Sequence, residues 1–571
     1  MAKQVAIGIQ SFKEIREKDC FYIDKTLFIK EWWENGDAVT LITRPRRFGK
    51  TLNMSMVEQF FSVDYADRGD LFEGLDIWED EKYRELQGTY PVIFLTFARV
   101  KENNFQDVKK HIFKLLKELY TDYSFLLESE RLDDTEKETI RQNKAGINDV
   151  VDASLALNYL CKYLYKHYGK KVIILLDEYD TPMQEAYING YWDELVAFTR
   201  SLFNATFKSN PYMERGIMTG VTRISKESIF SDLNNLVVIT TTSNSYATAF
   251  GFTEKEVFAS LEAFGLGEKK ERVKNWYDGF VFGEHRDIYN PWSILNFLDT
   301  NGKFGEYWAN TSSNGLVSKL IREGNTDIKE KFSLLLRGES VFCEIDEQIV
   351  YNQLDDNEEA VWSLLLAGGY LKVLSYDELE FMEDDEEVTY ELALTNREVK
   401  RMFNSLVRGW FTAVKKPYNG FVTAMLGENL REMNIYINKI SLEIFSYFDT
   451  GRRASGSEPE RFYHGFVLGL IADLSRSHII TSNRESGYGR YNVMIEPKDK
   501  TSSDKAFILE FKVHEPDVEA DIKETVAAAL QQIEDKQYEA SLIARGFEKE
   551  KIRKYGFAFE GKKVLIGEAD V

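Results

Sequence analysis

Cysteine is scarce. Cys20, Cys161 and Cys343 lie far apart in 571 residues and show no metal-ligand spacing, which excludes a zinc ribbon and fits packing thiols in a reducing compartment. No run approaches the roughly 18–20 consecutive apolar residues of a spanning helix. The opening "MAKQVAIGIQSFKEIREKDC" interrupts its apolar residues with charge before a signal-peptide core develops, so the expectation is a cytoplasmic protein that makes no use of a membrane. A basic excess is missing too. Against 72 Lys and Arg stand 94 Asp and Glu, a net charge of −22, so bulk electrostatics cannot coat this surface with nucleic acid and any such contact must be local. Repeats of fixed period and low-complexity tracts are also absent.

What is present is ample apolar material, 43% hydrophobic and 14% aromatic, in a chain too long for one core. Residues 1–285 alternate strand-like runs ("AVTLIT", "YPVIFLTF", "KKVIILLDEYD", "RGIMTGVT", "NLVVITTT") with longer helical stretches, the pattern of a parallel sheet covered by helices on both faces. Residues 286–425 lose that rhythm and read as a mostly helical middle domain. The acidic "SYDELEFMEDDEEVTYE" lies between strand-like "YLKVL" and "YELAL", which predicts a hairpin with an acidic tip. A third domain is expected over 426–571, with Gly, Ser and charge clustered at "DTGRRASGSEPE". Aromatic blocks in the middle region, "EYWANTSSN" and "WSLLLAGGYL", read as packing between domains.

The first chemical motif is "AVTLITRPRRFGKTLNMSMVEQFF", a buried strand, a loop ending Gly49-Lys50-Thr51, and a helix. This order suits phosphate: loop N–H groups and the helix N-terminus offer positive potential, Lys50 reaches the terminal phosphates and Thr51 can ligate magnesium. The first glycine of the usual G-x-x-x-x-G-K-S/T pattern is replaced by Arg44, and Pro45 removes a backbone donor. By itself the stretch also fits a cationic helix cap. Further on, Val172–Leu176 runs into Asp177 and Glu178, placing two carboxylates at the C-terminal edge of a buried strand, where α/β sheets bind ligands. Asp177 suits magnesium and Glu178 the attacking water; the alternative is a pair of acids capping the next helix. Thr219, Thr222 and Arg223 end another strand as candidate γ-phosphate sensors, with Arg223 equally a candidate surface ion-pair partner.

These blocks, with "FYIDKT", "TGVTRISKESIFSDLNNL", "WYDGF" and "YNPWS", resemble the AAA-ATPase-like family of bacterial and archaeal proteins, whose members typically carry a C-terminal PD-(D/E)XK nuclease-like domain. In that family the Arg-Pro-Arg-Arg-Phe loop is the norm. The resemblance implies a P-loop NTPase that binds ATP and magnesium through Arg46, Arg47, Phe48, Gly49, Lys50, Thr51, Asp177 and Arg223, with Glu178 catalytic. ATP and GTP stay open. A homo-oligomer, in which Arg46, Arg47 or Arg223 serves a neighbour's site, stands beside the same arginines acting in cis.

In "GRYNVMIEPKDKTSSDKAFILEFKV", alternation puts Ile508, Glu510 and Lys512 on one strand face and Phe507, Leu509, Phe511 and Val513 on the other. A carboxylate and a lysine there suit a divalent metal and an activated water, or else a solvated ion pair on an edge strand. The resemblance implies that a restriction-endonuclease-like α/β domain uses Glu460, Asn492, Glu510 and Lys512, with Asn492 and Glu510 as metal ligands, Gln532 and Tyr538 in support, and His464 as a contributor or a satisfied core histidine. The family has Asp where this chain has Asn492. Losing that charge should weaken magnesium binding, so cleavage is expected to be weak or lost, through either an inactivating or a natural substitution. The implied partner is nucleic acid, DNA ahead of RNA. The other function class is a nucleotide-controlled switch or assembly protein, whose nuclease fold only binds nucleic acid or a partner.

Overall fold

The computed structural model describes residues 3–208, 210–222, 229–230, 233–308, 317, 320–321, 326–346, 360–376, 388–412, 417–444, 467, 470–471, 474, 477–486, 489–499, 505–516 and 518–569, with side chains at 326, 329–330, 407–412, 417–419, 442–444, 482–486 and 489–492 left aside. Two compact units make up the chain. One holds residues 1–316 and 340–401, the other 317–339 and 402–571. Residues 286–425 are thus divided between the two.

The first unit is built on β1 (Val39–Thr43), β2 (Val92–Thr96), β3 (Val172–Asp177), β4 (Met213–Gly220) and β5 (Leu236–Ile239), all parallel, in the order β2-β3-β4-β1-β5. Every residue of β1 and of β3 is buried, as continuous apolar runs in a sheet covered on both faces require. The ends of β1 and β3 flank β4, so the loop after β1 and the acids after β3 open onto one edge. Two small sheets complete the unit. One pairs β6 (Phe252–Thr253), β7 (Asp278–Phe282) and β8 (His285–Tyr289); the other joins β9 (Val341–Glu344), β10 (Leu371–Tyr376) and β11 (Thr389–Leu394). β10 and β11 pair antiparallel, and the acidic segment between them lies outside the described residues.

The second unit carries β12 (His478–Ser486), β13 (Gly489–Pro497), β14 (Ala506–Val513), β15 (Ile552–Glu560) and β16 (Lys563–Glu568) in sequential order. Only β14 and β15 run parallel, and the chain between them forms helix Ile522–Asp535. Phe507, Leu509 and Phe511 join Val493, Ile495, Tyr555 and Phe557 in a core that includes helices Pro417–Leu426 and Leu430–Ile444. Ile508 points to the opposite side, with Met494, Ile533 and Tyr538. Gly556 lets helix Ile522–Asp535 approach β15, because a Cβ there would sit 3.0 Å from the Val526 carbonyl oxygen.

Candidate functional sites

Helix Lys50–Phe61 starts at Gly49, whose φ of +81° suits a residue without a side chain, and no side chain caps it. The N–H groups of Arg46, Arg47, Phe48 and Gly49 have no hydrogen-bond partner among the described residues. N–H groups arranged in this way ahead of an uncapped helix N-terminus can receive an anion. Lys50, almost wholly buried, donates to the carbonyls of Arg44 (3.1 Å) and Pro45 (3.2 Å) and lies 4.0 Å from Glu178.

Across the β3 edge, the Thr51 hydroxyl donates to Asp177 Oδ2 at 2.8 Å, and the Thr219 hydroxyl donates to Oδ1 at 2.6 Å. Asp177 is fully buried. Burial raises its pKa above the ordinary carboxylate range, the two hydroxyls oppose that shift, Glu178 adds to it and Lys50 counters it. Glu178 keeps a backbone φ of +54°, rare for a non-glycine residue, and its side chain remains a quarter exposed at 26%. The turn thus holds a partly accessible carboxylate 4.0 Å from a buried lysine. Asp180 occupies the N-cap position of helix Thr181–Asn189 but does not cap it. Its Oδ2 instead accepts the N–H groups of Val221 (2.8 Å) and Thr222 (2.9 Å) and the Thr222 hydroxyl (3.0 Å), tying the end of β4 to the acidic turn.

The arginines of the loop are spoken for in different ways. Arg44 is fully buried; it donates to the carbonyls of Thr43, Thr240 and Ser245 and lies over the Phe282 ring at 4.5 Å, and burial pushes its pKa down to about 9. Arg46 donates to Gln184 Oε1 at 2.8 Å, and Arg47 lies over Trp292 at 4.3 Å. Phe48 turns its ring into the core against Phe280 and Phe282, so only its backbone faces the loop's interior.

In the second unit Glu510 is 2% exposed and accepts a hydrogen bond from Gln532 Nε2, which also reaches the Tyr538 hydroxyl at 3.3 Å. Lys512 is half-buried on the same strand, and its ammonium group has no hydrogen-bond or ion-pair partner among the described residues. The register pairs Val493 with Leu509, Met494 with Ile508 and Ile495 with Phe507.

Two family models match separate stretches of the chain. Residues 6–230 match the family described as "Predicted AAA-ATPase", and residues 458–569 match the "PD-(D/E)XK nuclease superfamily". The chain carries an AAA-ATPase-like domain and a PD-(D/E)XK domain. It is also 29% identical over 324 residues to a protein of Azotobacter chroococcum mcd 1 described as "Uncharacterized protein in vnfD 5'region", covering 56% of this chain and 56% of that relative. The chain thus spans little more than half the length of the curated relative it matches.

In the AAA-ATPase-like domain, Lys50, Thr51, Asp177 and Glu178 come together; Arg223 lies outside the described residues. In the PD-(D/E)XK domain, Glu510, Gln532 and Tyr538 come together, the Asn492 side chain is left aside, and Glu460 and His464 lie outside the described residues. Sequence reasoning missed Asp180, Asn290 and Trp308, although the "LLDEYD" and "YNPWS" blocks held the first two. No described helix is long and apolar enough to cross a membrane.

It missed an acidic cluster as well. Glu254, Asp278 and Asp287 bring carboxylate oxygens within 4.8 Å of one another, with Lys274 bonded to Glu254 and 3.7 Å from Asp287. The Asp278 carboxyl is pushed up to about 7, first by burial and then by its hydrogen bond to Asp287 and that group's charge. An unfolded aspartate titrates near about 3.9. Between those values the folded chain keeps a proton that the unfolded chain has released, so this group's contribution to stability falls as pH rises from about 4 to 7. Asp278→Asn is expected to melt above the parent protein at pH 8, with the gap closing toward pH 4; a gap that does not change with pH would refute this.

Proposed function

We propose that this chain is a nucleoside triphosphatase, with ATP as substrate, coupled to a PD-(D/E)XK domain that engages nucleic acid, DNA ahead of RNA. The observation that carries the proposal is the Thr51–Asp177 hydrogen bond, because it joins the end of the loop to the acidic tip of β3 at 2.8 Å. Magnesium fits the donor set, a hydroxyl with carboxylate oxygens, and when bound would neutralise charge on the phosphate oxygens, with Thr51 and Asp177 as its protein ligands. The N–H groups of residues 46–49 bind the phosphates, and Lys50 moves from the Arg44 and Pro45 carbonyls to the terminal phosphate. Glu178 orients the attacking water and accepts its proton at a carboxylate oxygen.

In the PD-(D/E)XK domain, Glu510 and position 492 would hold magnesium, and Lys512 would steady the charge that develops on the scissile phosphate. A neutral Asn492 weakens that site, so this sequence favours binding over cutting. A nucleotide-controlled switch is the second reading, and Asn492 is the observation that favours it.

Phosphate release by the full chain, measured with and without DNA, tests the reading. A magnesium-dependent activity that DNA stimulates and Lys50→Ala removes is the expected result. Slow turnover indifferent to DNA would move the balance to the switch, and absence of triphosphate binding would remove both.

A further inference from the structure

The phosphate loop carries bulky residues where a glycine-rich loop carries none, and each residue from Pro45 to Phe48 is gripped from later in the first unit. Pro45 lies against Gly369, where φ is +80° and a Cβ would come within 2.7 Å of Pro45 Cγ. Phe48 fills a slot between Phe280, Phe282 and Gly251, and Arg47 covers Trp292. The Arg46 carbonyl accepts the Trp308 indole N–H at 2.9 Å and the Asn290 amide Nδ2 at 3.4 Å.

That last grip fixes a direction. In a trans peptide the C=O and the following N–H point opposite ways, and the described chain has no cis peptide bond. Holding the Arg46 oxygen on Trp308 therefore turns the Arg47 N–H to the other side, where it has no partner among the described residues. Arg47 adopts a φ of +67°, so the orientation is one the bare backbone disfavours. Both donors are themselves aligned. Asn290 Oδ1 accepts the Ser293 N–H at 3.2 Å, which leaves Nδ2 for Arg46. Glu398, 1% exposed, accepts the Trp308 backbone N–H at 2.6 Å and the Ser293 hydroxyl at 2.7 Å.

We propose that Trp308 and Asn290 are positioning residues of the phosphate site, holding the Arg46–Arg47 peptide so that the Arg47 N–H is presented to a nucleoside triphosphate. This rests on the triphosphatase reading. Neither residue touches the nucleotide; both act by preventing a peptide flip that would present a carbonyl to the phosphates.

Trp308→Phe in the full chain removes the indole N–H and keeps a ring to pack on Phe280 and Tyr370, now 5.4 and 5.5 Å away. Asn290→Ser keeps a helix-capping oxygen and removes the reach to Arg46. Fluorescent ATP and GTP analogues measure affinity, and phosphate release separates KM from kcat. Trp308→Phe is expected to raise both Kd and KM about tenfold, which is about 1.4 kcal/mol, with kcat within about twofold of the parent; Asn290→Ser should move the same two constants by a smaller factor. If Trp308→Phe melts early, Asn290→Ser decides by the same KM-against-kcat split. Unchanged Kd in a folded variant, or a fall in kcat at constant KM, overturns the proposal while the triphosphatase reading stands. A parent protein that binds neither analogue overturns both.

Discussion

Glu178→Gln is expected to bind ATP within a few-fold of the parent and to lose about 10²–10⁴ of its hydrolysis rate, the range supplied by one positioned general base. Glutamine keeps the volume and the hydrogen bond that Glu178 Oε2 accepts from Thr181 at 3.2 Å, and removes only the ability to take a proton. Lys50, 4.0 Å away, would lose an opposing charge, which leaves phosphate binding intact or slightly stronger. Equilibrium binding and single-turnover hydrolysis, measured on one preparation, separate the two effects. Hydrolysis unchanged in the variant would remove Glu178 from the mechanism, and the acidic tip of β3 would then serve magnesium alone.

The second large effect is a gain. On the proposed nuclease reading, Asn492→Asp supplies the carboxylate that would hold magnesium together with Glu510, two residues from Lys512 on β14. Magnesium-dependent cleavage should rise on the order of 10²–10³-fold over the parent, the scale of one charge-stabilising group at a reacting centre. Lys512→Ala in that background should return it to the blank, because no described side chain competes for the lysine. Binding of the same DNA by both proteins, followed by fluorescence anisotropy, shows whether the substitution changes chemistry or contact. A reverted protein inert on single- and double-stranded DNA and RNA alike would leave the domain as a recognition module.

How far the sequence could be read depended on how local the signal was. β1 and β3 were legible because strands buried on both faces must be apolar throughout, and the charged residues that end them then stand out: Lys50 and Thr51 after one, Asp177 and Glu178 after the other. The faces of β14 were legible for a similar reason, since a period of two separates Glu510 from Phe511 unambiguously. Asp180 was not. Nothing local singles it out, and its partners, the amides of Val221 and Thr222, are some forty positions away. Trp308 was assigned to packing because nothing nearby in the chain signals that its N–H is owed to a carbonyl 262 residues earlier. Local periodicity finds elements; it does not reveal which distant donor completes a loop. The Glu254–Asp278–Asp287 cluster was hidden likewise, its members arriving from a helix start and two strands.

The AAA-ATPase match stops at residue 230, but the grip on the phosphate loop does not. A fragment excised at that boundary would strip Phe48 of both aromatic neighbours, release the Arg46 carbonyl, and leave the buried Arg44 guanidinium without the carbonyls of Thr240 and Ser245. It would also amputate β5, baring one edge of β1 to other chains. For transplantation or dissection, the contacts that hold the loop extend at least to Glu398, which anchors Trp308, well past the point at which the recognisable signature runs out.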